Sequence, residues 1–179
     1  MTEQQIVSGV KSHDRQAMRA MYDLLAGHAM ATAKRYLADA DDCHDVLQEC
    51  FLRAFSRIGD FNYRGEGSLR AWMTRIVANE SVNVLKRRAR ITFTDEFTED
   101  IVDEPPDVTQ VPPEAINRMI ASLPAGYRIV FNQFVFEHKS HKEIARMLGI
   151  KENSSASQLL RAKRLLAKMI NDYRRQQDE

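Results

Sequence analysis

The strongest constraint on the fold is an acidic, proline-containing stretch in the middle of the chain. Residues 92–113 hold seven acidic residues, no basic residue and four of the five prolines. Such a composition buries too little apolar surface to offset the entropy lost on ordering the chain, and proline interrupts regular helices and strands. We therefore predict that residues 92–113 are a linker between two domains, residues 1–91 and residues 114–179.

Both segments that flank the linker carry a net positive charge, although the net charge of the whole chain is close to zero. The 179-residue chain has a formal net charge of only +1. Residues 1–91 nevertheless contain 14 Lys and Arg against 11 Asp and Glu, and residues 114–179 contain 12 against seven. Two basic domains favour nucleic acid as a partner, because contacts with phosphates supply much of the affinity for DNA and RNA.

Hydrophobic periodicity predicts an all-α fold class in both domains. Only residues 90–93 and 129–135 resemble strands. In the second of these, the apolar side chains fit a buried helix better than a strand; they are Ile129, Val130, Phe131, Phe134 and Val135.

Several functional classes are excluded. No apolar run approaches the roughly 18 residues that cross a bilayer, and the N-terminal MTEQQIVSGVK lacks the layout of a secretory signal, so we predict a cytoplasmic protein without membrane insertion. Without an HExxH, P-loop, GxSxG or paired-acid pattern, we predict no enzymatic activity, cofactor or metal. Cys43 and Cys50 lie on one helix face and are predicted to be buried, reduced thiols.

Residues 140–168, SHKEIARMLGIKENSSASQLLRAKRLLAK, predict a helix-turn-helix. Ser140 and Glu143 form a capping-box pattern that begins the first helix, and Gly149 allows the left-handed conformation that ends it. The second helix is predicted to begin within residues 151–155. Its buried face comprises Ser155, Leu159, Ala162, Leu166, Met169 and Ile170.

The opposite face of this second helix is basic. It comprises Ser157, Leu160, Arg161, Arg164 and Lys168, with Ser154 and Ala156 at its edges. This arrangement is typical of a helix that enters the major groove of DNA. The alternative is a solvated helical hairpin.

Residues 42–58, DCHDVLQECFLRAFSRI, predict an amphipathic helix. Its polar face carries Asp45, Gln48, Glu49 and Ser56, with Leu52 among them. A single exposed leucine is common on protein surfaces, and it is also a candidate anchor for a partner helix.

The segment after this helix combines a glycine-containing loop with a long helix. Tyr63 and Arg64 precede Gly65 and Gly67, and an aromatic ring or a guanidinium group stacks well on an unstacked base. In the helix, Leu69, Trp72, Met73, Ile76 and Val77 are predicted to face inward, and Arg75, Asn79, Val82, Asn83 and Lys86 outward. Asn reads base edges and Arg or Lys holds phosphates. The C-terminus of any helix favours basic residues because of the helix dipole, and this effect alone explains the final KRRAR.

Together these motifs resemble the extracytoplasmic-function (ECF) sigma factors of the bacterial sigma-70 family. DCHDVLQECFLRAF resembles the helix of that family that binds core RNA polymerase. YRGEGSLRAWMTRIVANESVNVLKRR resembles the segment that reads the −10 promoter element, and LPAGYRIVFNQFVFEHKSHKEIARMLGIKENSSASQLLRAKRLL resembles the domain that reads the −35 element.

The resemblance implies a function and a set of contacts. The chain would bind the coiled coil of the largest polymerase subunit and the flap of the core enzyme, and would direct promoter-specific initiation. The coiled coil would meet Asp45, Gln48, Glu49 and Leu52. The −10 element would meet Tyr63, Arg64, Arg75, Asn79, Asn83, Lys86 and Arg87. The −35 element would meet Ser154, Ser157, Gln158, Leu160, Arg161 and Arg164. An anti-sigma factor, able to hold the protein at the membrane, is a further implied partner.

Three positions depart from the family pattern. Ala156 stands where Lys or Arg is common, Lys151 where a capping Ser is common, and Asn153 where Gly is common. Because Asn tolerates left-handed geometry and caps helices, the turn is expected to survive. The −35 specificity is not transferable from relatives.

Two other functions fit parts of the sequence. A one-component transcriptional regulator also uses a helix-turn-helix, but it needs an effector pocket or a dimerisation helix. A protein that sequesters another sigma factor does not need an asparagine-lined helix. A requirement for core polymerase separates a sigma factor from both.

Overall fold

The computed structural model describes residues 1–88 and 105–177, and within these ranges it contains eight α-helices, one short 3-10 helix and no strand. The all-α prediction is therefore confirmed. The chain divides into two compact units, Met1–Val84 and Leu85–Glu179. Most of the predicted linker, residues 92–104, lies outside the described residues. Within the described part of the chain, no helix has the length and apolar character of a membrane span.

The first unit is built from three helices and the greater part of a fourth. They are α1 (Glu3–Lys11), α2 (Arg15–Tyr36), α3 (Ala40–Arg57), followed by the 3-10 turn Ile58–Asp60, and α4 (Ser68–Arg88). Side chains cap the first three helices: Thr2 forms a capping box with Gln5, and the carboxylates of Asp14 and Asp39 accept backbone N–H groups. These caps satisfy amide groups that have no partner within a helix.

The apolar stripe of α3 forms much of the core of this unit, as predicted. Its buried members are Cys43, Val46, Leu47, Cys50, Phe51 and Ala54. Both cysteines are free and buried, and burial raises the pKa of each thiol, that of Cys50 to about 12. A thiol whose pKa is raised by burial stays protonated at neutral pH and is a poor nucleophile, so both cysteines serve as small apolar core residues.

The second unit contains α5 (Pro113–Ser122), α6 (Ala125–Val135), α7 (His141–Leu148) and α8 (Glu152–Gln177). Residues 129–135 are helical, as predicted. The long α8 packs against each of the other three helices. Its apolar side chains join two adjoining clusters, one built around Ile120, Leu123, Ala162 and Leu166, the other around Val130, Ile144 and Leu159.

The predicted turn between α7 and α8 is confirmed. The Ser140 hydroxyl accepts from the Glu143 backbone N–H, and the Glu143 carboxylate accepts from the Ser140 backbone N–H at 2.8 Å. Gly149 has φ +70°, and the Ile150 N–H bonds back to the carbonyl of Ala145. Since α8 begins at Glu152, Asn153 lies inside the helix, neither left-handed nor a cap. The turn survives as expected, but Gly149 and not Asn153 provides its left-handed residue.

Replacing Gly149 by Ala is expected to lower the free energy of unfolding by about 1–2 kcal/mol, because a Cβ at a left-handed residue meets its own backbone. No other atom lies within 4 Å of that Cβ, so the loss would be purely conformational. Gly149→Asn is the control and is expected to lose less, since Asn tolerates this region. Urea unfolding followed by circular dichroism measures both; equal losses would contradict the explanation.

Candidate nucleic-acid interface

Four side chains on α3 form an exposed surface, here called the α3 face: Asp45, Gln48, Glu49 and Leu52. Leu52 is 66% exposed, the most exposed large apolar side chain of the described helices. The ring of the neighbouring Phe51 packs against that of Tyr22 of α2, tilted by 45° with ring centroids 4.7 Å apart, and Tyr22 is itself 47% exposed. Tyr22 was not predicted from the sequence, because the ring is brought beside α3 by tertiary packing. The α3 face thus combines carboxylates and an amide with exposed apolar surface.

A second surface follows α4 and is called the α4 face: Arg75, Asn79, Asn83, Lys86 and Arg87. All five are exposed, as predicted. Val82 was expected among them, but it is only 2% exposed. It lies one turn after Ala78, which is also buried, so the two form a second buried stripe along the helix. The α4 face therefore consists of cations and amides.

A pocket of about 350 Å³ opens beside the first turns of α4. Its lining includes Arg64, Trp72 and Arg75, together with Asp60, Phe61, Asn62, Ser68 and Ala71. The rings of Phe61 and Trp72 are 5.0 Å apart and form an aromatic wall. Trp72 was predicted to be core and is instead partly exposed. Tyr63 is partly exposed but is not among the lining residues, so Arg64 and Trp72 provide the stacking groups.

The loop before α4 is fastened by a carboxylate from α1. Glu3 accepts from the backbone N–H groups of Gly67 at 2.8 Å and Leu69 at 2.7 Å. Gly65 and Gly67 have φ of +112° and +86°, values that L side chains rarely adopt. A carboxylate at this position satisfies amide groups at the start of α4 and complements the positive end of the helix dipole.

Glu3 also affects the neighbouring phenol. Partial desolvation and the nearby carboxylates of Glu3 and Glu66 raise the pKa of Tyr63, so the phenol stays neutral and can donate a hydrogen bond at neutral pH. Glu3 is 64 residues from Gly67 in sequence, and no local pattern relates the two. The sequence analysis therefore missed its role.

The third surface, called the α8 face, was predicted to contain Ser154, Ser157, Gln158, Leu160, Arg161 and Arg164. Only Leu160, Arg161 and Arg164 are partly exposed, while Ser154, Ser157 and Gln158 are buried. This corrects the prediction that all six lie on an accessible face. Gln158 follows Ser155 by three residues and precedes Ala162 by four, so it shares their buried side of the helix. The Ser157 hydroxyl donates to the Asn153 carbonyl at 2.9 Å.

The histidine at the start of α7 secures the start of α8. His141 Nδ1 lies 3.0 Å from Ser155 Oγ, and the imidazole stacks on Phe134 at 4.7 Å. Burial lowers the pKa of His141, with Lys163 adding a smaller effect in the same direction and Glu152 opposing it. The residue therefore acts as a neutral bridge between α7 and α8. Among the described residues, no group of three His, Cys, Asp or Glu is arranged to hold a metal ion.

Glu3→Gln is expected to lower the stability of the first unit by about 1–2 kcal/mol, because an amide oxygen replaces the carboxylate that accepts from two backbone N–H groups. Glu66→Gln removes an exposed carboxylate from the same loop and should change stability by less than about 0.5 kcal/mol. Fluorescence of Trp72, the sole tryptophan, follows urea unfolding of this unit. Equal effects of the two variants would contradict the proposed anchoring.

Comparisons with known proteins identify both units. Residues 21–91 match the family described as sigma-70 region 2, and residues 114–166 match sigma-70 region 4. The chain is 31% identical over 172 residues to the ECF sigma factor SigL of Mycobacterium tuberculosis, with 89% of this chain and 92% of that protein aligned. It is 27% identical over 190 residues to the sigma-H factor of Pseudomonas aeruginosa, with 97% and 96% aligned.

A solved structure shares the fold. The sigma factor RpoE, determined in complex with the anti-sigma factor NepR from Bartonella quintana, superposes with a TM-score of 0.53 at 19% identity. The match covers 86% of this chain and 96% of the other. At this identity the likeness establishes the arrangement of helices alone.

Proposed function

The chain belongs to the ECF sigma factors of the sigma-70 family, and from this premise we propose how its surfaces divide the work of initiation. As a member of that family it binds core RNA polymerase and promoter DNA and directs promoter-specific transcription initiation. It is a DNA-binding regulatory factor. In our proposal it catalyses no reaction, and binding energy alone drives its effect on the promoter.

In this proposal the α3 face docks on the coiled coil of the largest polymerase subunit. The support is the exposure of Leu52 between acidic and amide side chains, since an isolated apolar side chain of this size contributes most when a partner covers it. Asp45, Gln48 and Glu49 supply charge and hydrogen bonds around this anchor. The family resemblance also implies binding to the flap of core polymerase. We propose that the C-terminal domain, residues 114–179, makes this contact.

In our proposal the α4 face reads the −10 element. The observation that carries this assignment is the position of Arg75. Arg75 belongs to the α4 face and also lines the adjoining pocket. A strand lying along the α4 face would therefore pass the pocket mouth. A base that leaves the stack can enter between Arg64 and the aromatic wall, while Asn79 and Asn83 contact neighbouring base edges. Such a site favours single-stranded over duplex DNA, so binding energy contributes to strand opening.

The helix-turn-helix reads the −35 duplex. Arg161 and Arg164 supply cations for phosphates or guanine, and Leu160 supplies apolar contact. Residues 1–91 would act as the −10 domain, residues 114–179 as the −35 domain and residues 92–113 as the acidic linker between them. We place the protein in the cytoplasm, where core polymerase and the chromosome are found. An anti-sigma factor, as in the RpoE complex, would restrain it there or at the membrane.

Transcription in vitro with bacterial core polymerase tests the proposal. The holoenzyme is expected to initiate at specific promoters on genomic fragments, and core polymerase alone is not. In a second experiment, gel shifts without core polymerase measure DNA binding by the isolated chain. Tight, specific operator binding by the isolated chain, together with no effect of the chain on core polymerase, would favour a one-component regulator instead.

Leu52→Asp is expected to weaken core binding by about tenfold or more, because it removes an apolar anchor worth over about 1 kcal/mol and adds an acid beside Glu49. The fold should persist, since Leu52 is exposed. Leu24→Asp, at a 42% exposed leucine of α2, is the matched control. Affinity is measured by fluorescence anisotropy of the labelled chain against core polymerase. Equal affinities of the two variants would remove Leu52 from the interface.

Ala156→Lys is expected to change −35 affinity by about five- to 150-fold for some sequences, since one good contact to guanine is worth about 1–3 kcal/mol. Ala156 is partly exposed near the start of α8. Ala167→Lys, about 16 Å further along the helix, adds the same charge and should not alter the preference among −35 sequences. Holoenzyme binding to a set of −35 variants measures both. An unchanged Ala156→Lys profile would exclude this residue from the reading surface.

A further inference from the structure

A buried carboxylate joins α3 to the α4 face. The side chain of Glu80 is only 5% exposed, and its Oε2 lies 2.8 Å from Nη1 of Arg53. The same Oε2 lies 3.4 Å from Nδ2 of Asn83, one turn further along α4. Arg53 also donates through Nε to Glu49 at 2.8 Å. One carboxylate oxygen is thus shared between an arginine and an exposed asparagine.

The ion pair between Arg53 and Glu80 places a carboxylate at a position where an apolar side chain would cost less free energy to bury. Taking a carboxylate out of water is costly unless a cation and hydrogen bonds compensate, and apolar replacements of buried ion pairs are often neutral or stabilising. Stability alone therefore does not explain Glu80. Its contact with Asn83 suggests another reason.

The chemistry of the carboxylate fixes the orientation of the amide. An ionised carboxylate only accepts hydrogen bonds, so Asn83 must turn its NH₂ group towards Glu80. Because the amide is planar with its oxygen on the other branch, Oδ1 is left as the acceptor for a ligand. An acceptor at this position suits a base with an exocyclic amino group, such as adenine or cytosine, better than thymine.

We propose that Glu80 is a positioning residue that sets the base preference of Asn83, and that Arg53 holds Glu80 in place from α3. This inference rests on the proposed role of the α4 face at the −10 element. Glu80 itself does not touch DNA. In Glu80→Gln, the new amide can donate to Oδ1 of Asn83, so the Asn83 amide can reverse and offer its NH₂ group to a keto-bearing base.

The experiment uses holoenzyme reconstituted with core polymerase and a promoter library randomised across the −10 element, with transcript sequencing as the readout. The wild type is expected to prefer an amino-bearing base by at least about fivefold at one position, and Asn83→Ala should flatten that position alone. Glu80→Gln should reduce the preference at the same position to below about twofold or reverse it. The double variant should match Asn83→Ala, because the effect of Glu80 passes through Asn83.

Two further variants keep the test decisive. Glu80→Met removes the acceptor but keeps an unbranched, buried side chain, so it should fold and also relax the preference even where Glu80→Gln is unstable. Asp23→Asn removes an exposed carboxylate from α2 and should leave the profile unchanged. A merely structural role of Glu80 would lower activity at all promoters equally and leave the base preference intact.

The outcomes separate this inference from the proposed function. If Asn83→Ala flattens one position while Glu80→Gln and Glu80→Met retain the wild-type preference, the inference is overturned and the −10 assignment stands. An Asn83→Ala profile identical to that of the wild type would refute both the −10 role of Asn83 and the inference. A wild-type chain that gives no promoter-specific transcription would refute the proposed function itself.

Discussion

The attachment of α4 to its neighbours decides which of its side chains are exposed. The helix is fastened at its start by the Glu3 carboxylate of α1, beside its second turn by a 2.8 Å contact between Thr74 and His28 of α2, and further along by the pairing of Glu80 with Arg53 of α3. Apolar burial of Leu69, Met73 and Val77 holds the helix against the core. The buried stripe turns one side of α4 to the core, and the three polar contacts tie the helix to α1, α2 and α3 at defined distances. Together they set which side chains of α4 are exposed.

His28 illustrates how such a contact constrains protonation. Burial, reinforced by Arg70 and Arg35, lowers the pKa of His28, so the folded protein favours the neutral imidazole. A lowered pKa means that this stabilisation is complete above the ordinary histidine pKa and is lost as the pH falls through the value in the folded state. Protonation of His28 in acid is therefore expected to destabilise the first unit, because the charged imidazole is buried near two arginines.

Sequence patterns predicted the elements whose causes are local. The capping box at Ser140, the left-handed Gly149 and the apolar stripe of α3 all follow from residues one turn apart, and the structure confirms each. The failures have tertiary causes. Glu3 and Tyr22 act across helices that the sequence does not show to be neighbours, and Val82 lies on a stripe that periodicity assigned to solvent. Gln158 was an avoidable error, because its spacing from Ser155 and Ala162 already placed it inside.

In the proposed division of roles, the α8 face and the α4 face differ in the DNA sequences that they can discriminate. On the α8 face, Arg161 and Arg164 would contact phosphates or guanine and Leu160 would make an apolar contact, so few side chains are available to read base edges. The α4 face instead combines amides with a pocket that accepts a base only after it has left the stack, and unstacking costs a few kcal/mol. The free energy of base binding at α4 must exceed that cost before it contributes to affinity. A mismatched base therefore loses its contacts with α4 and also leaves the cost of unstacking uncompensated. Sequence discrimination should therefore be concentrated at the −10 element, with the −35 contacts supplying mainly the residence time on DNA that allows strand opening.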